Sequence, residues 1–287
     1  MRAMANTNDG SQQPPRKRRV KIARVRPWVQ TAFLAVWLGP LGLRIHSVPG
    51  CVFHCYACPL ASFACPVGVI AQFSSLHLFP LLAVGVIVAV AGLVGSLVCG
   101  WACPFGFLQD LIGRIPTPKF RIPHWMSYGR YFVLVGLVIV VPYLWSEEHP
   151  LFICRVCPAG ALEAGVPSMI AQARAGRPVL WMSWYKVAIL VGLLGAALFT
   201  FRPWCTVLCP LGGALSLFNR FSVFHLRFDA SKCTECNLCR SRCSYGVKVE
   251  RQVNDSRCIR CMECTACGAI TPGLALASKD HPRQREG

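Results

Sequence analysis

Acidic charge is the scarcest thing in this sequence. Its 287 residues hold 12 Asp and Glu against 30 Lys and Arg. From Ile45 to Gln109 there is no Asp, Glu, Lys or Arg at all. A soluble surface of that length is never uncharged, so a water-soluble domain is excluded for this stretch. Other signatures are also missing. No phosphate-cradling glycine loop or Ser/His/Asp order stands out, and no Cys-x2-Cys-His haem-attachment motif exists. No small-residue cleavage site follows the first apolar stretch, so that stretch is not read as a removed signal.

What is present is apolar and basic together. Hydrophobic residues make up 54% of the chain. The excess of positive charge opens with one run, Arg16, Lys17, Arg18, Arg19, Lys21, Arg24 and Arg26, just before the first apolar segment. That placement suits an anionic membrane surface and a topology anchor rather than nucleic acid. Four segments are apolar enough to be read as spans of a ~30 Å hydrocarbon core, which takes about twenty residues. They are residues 28–46, 78–99, 130–146 and 184–201. The first is expected to kink at Gly39-Pro40. The N-terminal tail carries eight Lys and Arg, the loop 47–77 none, the loop 100–129 three, and the tail after Phe201 thirteen. The loop 147–183 balances three arginines against three glutamates. By the positive-inside rule both termini are cytoplasmic and the first and third loops lie outside.

An internal repeat organises these spans. Cys-Pro-x-Gly occurs at Cys65, Cys103, Cys157 and Cys209. The second and fourth copies are extended to Cys-x3-Cys-Pro, as CGWACP from Cys99 and CTVLCP from Cys205. The chain therefore reads as two similar halves, each with cysteines at both faces. Proline suits the first helical turn, where its missing N–H costs nothing. Phe105, Phe107, Leu108, Leu111, Ile112 and Ile115 then follow at helical spacing, as an interfacial helix would.

The end of the chain carries the densest signal. CTECNLCRSRC gives Cys233-x2-Cys236-x2-Cys239-x3-Cys243, and CIRCMECTAC gives Cys258-x2-Cys261-x2-Cys264-x2-Cys267. Two such runs, fourteen residues apart, resemble a two-cluster bacterial ferredoxin. In that module each [4Fe–4S] cluster takes three cysteines of one run and the last of the other. The resemblance implies one cluster on Cys233, Cys236, Cys239 and Cys267, and a second on Cys258, Cys261, Cys264 and Cys243. Ser244 stands where proline usually follows, and the second run closes with x2 and Gly268. A pair of structural zinc knuckles is the rival reading of the same cysteines.

With CGWACPFGFLQD, the second Cys-x3-Cys-Pro, four expected spans and the double-cluster tail, the sequence resembles the NapH-type membrane ferredoxins. These are quinol-dehydrogenase partners of periplasmic nitrate reductase systems. The membrane half of the nitrous-oxide reductase regulator and the copper-oxidase assembly ferredoxin share the motifs. The resemblance covers roughly residues 28–270. It implies a mostly α protein: a basic tail (1–27), a four-helix transmembrane bundle of two repeated halves (28–222), a two-cluster ferredoxin domain (223–273) and a short tail (274–287). It implies an inner-membrane electron-transfer protein that exchanges electrons between the quinol pool and a redox partner, on the periplasmic side in the systems named, with bound quinone a further expectation. Supply of reduced copper or maturation of a respiratory enzyme is the second reading, and a structural zinc membrane protein the third. No catalytic residue is identified.

The membrane cysteines leave alternatives open. Cys99, Cys103, Cys205 and Cys209 come from matched halves and would converge at the cytoplasmic face by pseudo-symmetry. They would hold a further cluster, form redox-active dithiols, or simply pack. At the outer face Cys55, Cys58, Cys65, Cys154 and Cys157 offer a second shared site, with disulfides as rivals because the outside is oxidising. His46, His54 and His77 read as interfacial polar residues or as axial ligands. Trp28, Trp101, Trp125, Trp145, Trp181, Trp184 and Trp204 read as an aromatic belt.

Overall fold

A computed structural model describes residues 22–43, 65–179 and 181–274. Cys55, Cys58, His46 and His54, the first part of the basic tail and the C-terminal segment after Leu274 lie outside the described residues. What is described is mostly helical, with one small sheet near the end, as the composition leads one to expect.

Each expected span overlaps a helix, at least in part. α1 (Ile22–Leu43) starts inside the basic run and passes through Gly39-Pro40. After α2 (Pro66–Ser75) comes α3 (Leu81–Val94), then the short α4 (Leu97–Trp101) and α5 (Pro104–Ile112). α6 (His124–Trp145) is the one described helix long and apolar enough to cross a membrane. It widens to a π register over Val133–Val140, just ahead of Pro142, whose ring would clash with the carbonyl one ordinary turn back. α7 (Ile153–Val156), α8 (158–174), α9 (Trp184–Phe199) and α10 (Pro210–Leu217) complete this part.

The second expected span, 78–99, is not one rod. α3 stops at Gly95, whose φ of +52° is a left-handed conformation that glycine adopts without penalty. α3 and α9 are apolar but shorter than α6, at 14 and 16 residues. α3 buries a narrow seam of Ala83, Ile87 and Ala91 and leaves Leu81, Leu82, Val88 and Leu93 exposed. α9 likewise buries Leu190 and Ala197 and exposes Trp184, Val187, Val191 and Phe199. On α6, Phe132, Val135, Ile139 and Val140 face outward. Each of these three helices thus carries an exposed apolar face.

Three of the four Cys-Pro-x-Gly motifs share one local structure, and the first, at Cys65, shares the proline-led helix start but not the backbone angles. In each the cysteine is the N-cap and proline the first helical residue, opening α2, α5, α8 and α10. α2 packs on α3 and α6, α10 on α3 and α6, α5 on α1 and α9, and α8 on α9. The last part is a two-stranded antiparallel sheet, β1 (Phe224–Phe228) and β2 (Ile270–Leu274), with Leu226 opposite Pro272. Between the strands run the two cysteine loops and α11 (Leu238–Arg242) around a core of Leu226, Val247, Val249, Val253, Met262 and Ile270.

Candidate functional site

The cytoplasmic-face cysteines expected from the repeat meet. Among Cys99, Cys103, Cys205 and Cys209 every one of the six pairs interacts electrostatically. Cys103 and Cys209 reach this place in the same way. The Sγ of each accepts the N–H of the glycine three residues on, Gly106 and Gly212, at 3.4 Å. Gln109 on α5 donates Nε2 to the Cys205 Sγ at 3.4 Å. Burial pushes the Cys103 and Cys209 thiols well above the ordinary range, and the neighbouring sulfurs push them further. Cys205 also rises through burial, although Arg202 opposes it. The donor set fits iron: a bound cluster brings the positive charge that makes four buried sulfurs thiolates.

Beside the sulfurs lies a charge network that the sequence reading missed. Arg202 is 1% exposed, and its guanidinium grips Asp110 bidentately, Nε to Oδ1 at 2.7 Å and Nη2 to Oδ2 at 2.5 Å. Its Nη1 donates to the Cys99 carbonyl. Arg26 of α1 also pairs with Asp110, and Gln30 donates to both Asp110 and the Gly100 carbonyl. Burial alone would raise the Asp110 carboxyl, but the two guanidiniums outweigh it and hold it below the usual range. This also explains the glycine of CPFG: a Cβ on Gly106 would stand 2.8 Å from Arg202 Nη1. The signal was present in the sequence. Asp110 is the first charge after the uncharged run, and a lone charge at the end of an apolar segment needs a partner.

In the tail the second expected ligand set assembles as the ferredoxin pattern implies. Cys243, Cys258, Cys261 and Cys264 interact in all six pairs. Burial pushes Cys258 up to about 12. The two runs share a backbone device. Glu235 and Asn237 flank Cys236, and Arg260 and Met262 flank Cys261, all four with φ between 52° and 63°. Left-handed residues alternating with ordinary ones turn successive N–H groups to one side, a concavity for a negatively charged group. For the other set, α11 carries Cys239 against the turn Glu263–Cys267. Cys239 is buried, Cys233 half-buried and Cys236 exposed. Among the described residues no three His, Cys, Asp or Glu side chains are placed to hold a single metal ion. A cubane cluster instead takes one thiolate at each separate iron corner.

The segments that carry the two sets meet at one seam. Trp101 Nε1 donates to the Arg260 carbonyl at 2.9 Å, and Ser96 Oγ to the Cys258 carbonyl. Asn219 Oδ1 accepts the Ser96 N–H at 3.0 Å while its Nδ2 donates to the Asp255 and Cys258 carbonyls. Arg260, fully buried, donates to the Val94, Phe224 and Asn219 carbonyls. A Cβ on Gly100 would lie 2.3 Å from the Ile259 carbonyl oxygen. The peptide bearing Cys99 is therefore in backbone contact with the loop bearing Cys258 and Cys261.

The described outer-face candidates fall in two adjoining clusters, and one of these also holds cysteines expected at the opposite face. Cys157 packs in the same apolar cluster as Cys103, Cys205 and Cys209, with Gly160 donating to its Sγ at 3.4 Å. Cys154 belongs to a neighbouring cluster with Val67, two residues after Cys65, and its carbonyl accepts Lys186 Nζ at 3.1 Å. His77 lies against Tyr143, ring centroids 4.4 Å apart. Trp28, Trp125, Trp145, Trp181 and Trp184 are exposed, as a belt requires, but Trp204 is buried and Trp101 is committed to the seam.

Comparison with known proteins picks out the two repeated halves. A family described as "4Fe-4S binding domain" matches twice, at residues 76–123 and 181–229, which contain the two Cys-x3-Cys-Pro motifs and not the tail runs. An uncharacterised protein of Methanocaldococcus jannaschii is 30% identical over 62% of this chain and 63% of its own length. The putative electron transport protein YccM of Escherichia coli is 25% identical over 72% of this chain and 56% of its own. The ferredoxin-type protein NapH of Haemophilus influenzae is 26% identical over 66% of this chain and 63% of its own. The chain thus spans somewhat less than two thirds of each of these relatives. No solved structure matches. The chain is similar to ferredoxin-type proteins such as NapH, and the 4Fe-4S binding domain matches it once in each of its two repeated halves.

Proposed function

We propose that this chain is a four-span inner-membrane protein that moves electrons between the quinol pool and a redox partner protein, with both termini cytoplasmic. The observation that carries the reading is the seam, which sets the segment bearing Cys99 against the loop bearing Cys258 and Cys261. In this reading the second set and the set of Cys233, Cys236, Cys239 and Cys267 each hold a [4Fe–4S] cluster, and the first set holds a third. Bound clusters supply one-electron redox chemistry. The protein's own part is to bury the sulfurs, aim backbone N–H groups at them and fix their spacing. The exposed apolar faces of α3, α6 and α9 support membrane insertion, α3 and α9 being short spans completed by their flanking residues.

The test is iron and acid-labile sulfide per chain with electron paramagnetic resonance on anaerobically purified protein. Two tail clusters alone give about eight irons. The proposal expects clearly more, with the excess lost in Cys103→Ser and in Cys209→Ser. Eight irons unchanged by either substitution would leave the membrane sulfurs outside electron transfer, and tightly bound zinc without colour would overturn the reading altogether.

A further inference from the structure

Three buried arginines stand near the sulfurs, and two of them have no carboxylate. Arg202 is answered by Asp110. Arg130, at the start of the apolar part of α6, is 3% exposed, and Arg260, in the loop bearing Cys258 and Cys261, is fully buried. Among the described residues neither forms an ion pair, and the Nε of each is buried without a hydrogen-bond partner. Asp110 and Asp255 are already paired, the first with Arg202 and Arg26 and the second with Arg257. An arginine cannot relieve its burial by losing its proton. Such a charge is costly unless something negative stands opposite.

The partners that Arg130 does have are dipoles. Its Nη2 donates to the Ser256 carbonyl at 3.1 Å and to the Tyr131 hydroxyl at 3.2 Å, and its guanidinium lies 5.0 Å from the Tyr131 ring centroid. Its backbone is pressed on the second Cys-x3-Cys-Pro. A Cβ on Gly129 would lie 2.8 Å from the Val207 carbonyl oxygen, between Cys205 and Cys209, and one on Gly213 would lie 3.4 Å from Arg130 Cγ. The charge of Arg130 also acts on the Cys99 sulfur. Arg260 stands in the same relation to Cys258, but it also ties the seam together through three carbonyls. Arg130 is therefore the residue in which the effect of charge can be isolated.

From this we infer that Arg130 is the counter-charge of the set Cys99, Cys103, Cys205 and Cys209: with a [4Fe–4S] cluster bound there, its guanidinium favours the reduced state and raises the reduction potential of that cluster. The inference rests on the electron-transfer reading above and assigns the residue that tunes its third cluster. Four thiolates leave the bound core with net negative charge, which grows on reduction, so a fixed positive charge stabilises the reduced state more. Reduction adds one electron to the cluster. No bond forms or breaks, and Arg130 keeps its proton throughout.

The test is a dithionite titration of the full chain, purified anaerobically in detergent with its iron. Electron paramagnetic resonance follows the signal that Cys103→Ser removes. Arg130→Gln keeps a donor for the Ser256 carbonyl and removes the charge. Its reduction constant should fall by about tenfold or more, a drop of about 59 mV for one electron, as expected for a unit charge roughly 10 Å away at an effective dielectric of about 20. Arg130→Lys keeps the charge and should recover most of that fall. Both should keep the iron and sulfide content of the parent. If the glutamine chain loses its iron, Ser216→Asp takes its place. Ser216 Oγ meets the Tyr131 hydroxyl that Arg130 also meets, so a carboxylate there cancels the guanidinium without removing it, and the same fall is expected. The parental potential in an iron-replete Arg130→Gln or Ser216→Asp chain would refute the inference. So would an Arg130→Lys chain that falls as far as Arg130→Gln, since lost shape would then be the cause. A parent chain with no signal sensitive to Cys103→Ser would instead sink the third cluster, and with it the reading beneath the inference.

Discussion

Asp110→Asn is the substitution whose cost is clearest. It keeps the shape of the side chain and removes the charge, leaving the Arg202 guanidinium, 1% exposed, without a counter-ion. Arg202 cannot escape, because its Nη1 is tied to the Cys99 carbonyl and the Gly106 backbone closes over it. Breaking a buried pair from one side costs about 3–5 kcal/mol. At roughly 2–4 °C per kcal/mol for a chain of this order, the apparent unfolding midpoint in detergent should fall by roughly 6–20 °C. Asp110→Asn combined with Arg202→Met should recover much of that, since an apolar replacement of both partners is often neutral. The same pair sets a pH dependence. Asp110 is held below its unfolded value of about 3.9. Its contribution is therefore fully present above that value and is lost as the pH falls through the folded pKa. Thermal scans from pH 7 down to pH 3 should show the parent losing stability more steeply than Asp110→Asn at the acid end. A single variant within about 1 kcal/mol of the parent, or a double variant no better than the single, would refute the argument.

Gly100→Ala should open the seam, because its methyl group would meet a backbone oxygen that cannot rotate away. Hydrogen exchange at residues 258–261 should rise, while Gly92→Ala, which meets nothing within 4 Å, leaves it unchanged; equal protection in both would contradict the seam. Cys154→Ser or Cys55→Ser should remove one cluster signal if the outer cysteines bind iron, and unchanged iron in both variants would remove that site.

How much of this was legible in the sequence depended on the kind of interaction. The cysteine spacings and the repeat of Cys-Pro-x-Gly are local patterns, and the structure uses them locally: a cysteine N-cap, proline in the first turn, glycine donating to sulfur. The apolar runs located the helices for the same reason. The break at Gly95 was not legible, because residues 78–99 are uniformly apolar and the cause of the break is distant. A Cβ there would strike Asn219 Oδ1 and Arg260 Nη1 at 2.7 and 2.8 Å. Arg202 and Asp110 are 92 residues apart, and no periodicity links them. The left-handed residues Glu235, Asn237, Arg260 and Met262 carry no compositional mark, since all four occur elsewhere in ordinary backbone.

The seam also has a consequence for the order in which the chain is built. A ribosome delivers the helices long before residues 255–260. Until those arrive, the Ser96 hydroxyl, the Asn219 amide and the Val94 carbonyl have none of their partners from that segment, and Gly95 and Gly100 present bare backbone. The Cys258 and Arg260 carbonyls that complete the seam project from the loop that also carries the Cys258 and Cys261 sulfurs. In the proposed reading, loading the tail and closing the helical half thus become one step, with residues 255–260 as its checkpoint.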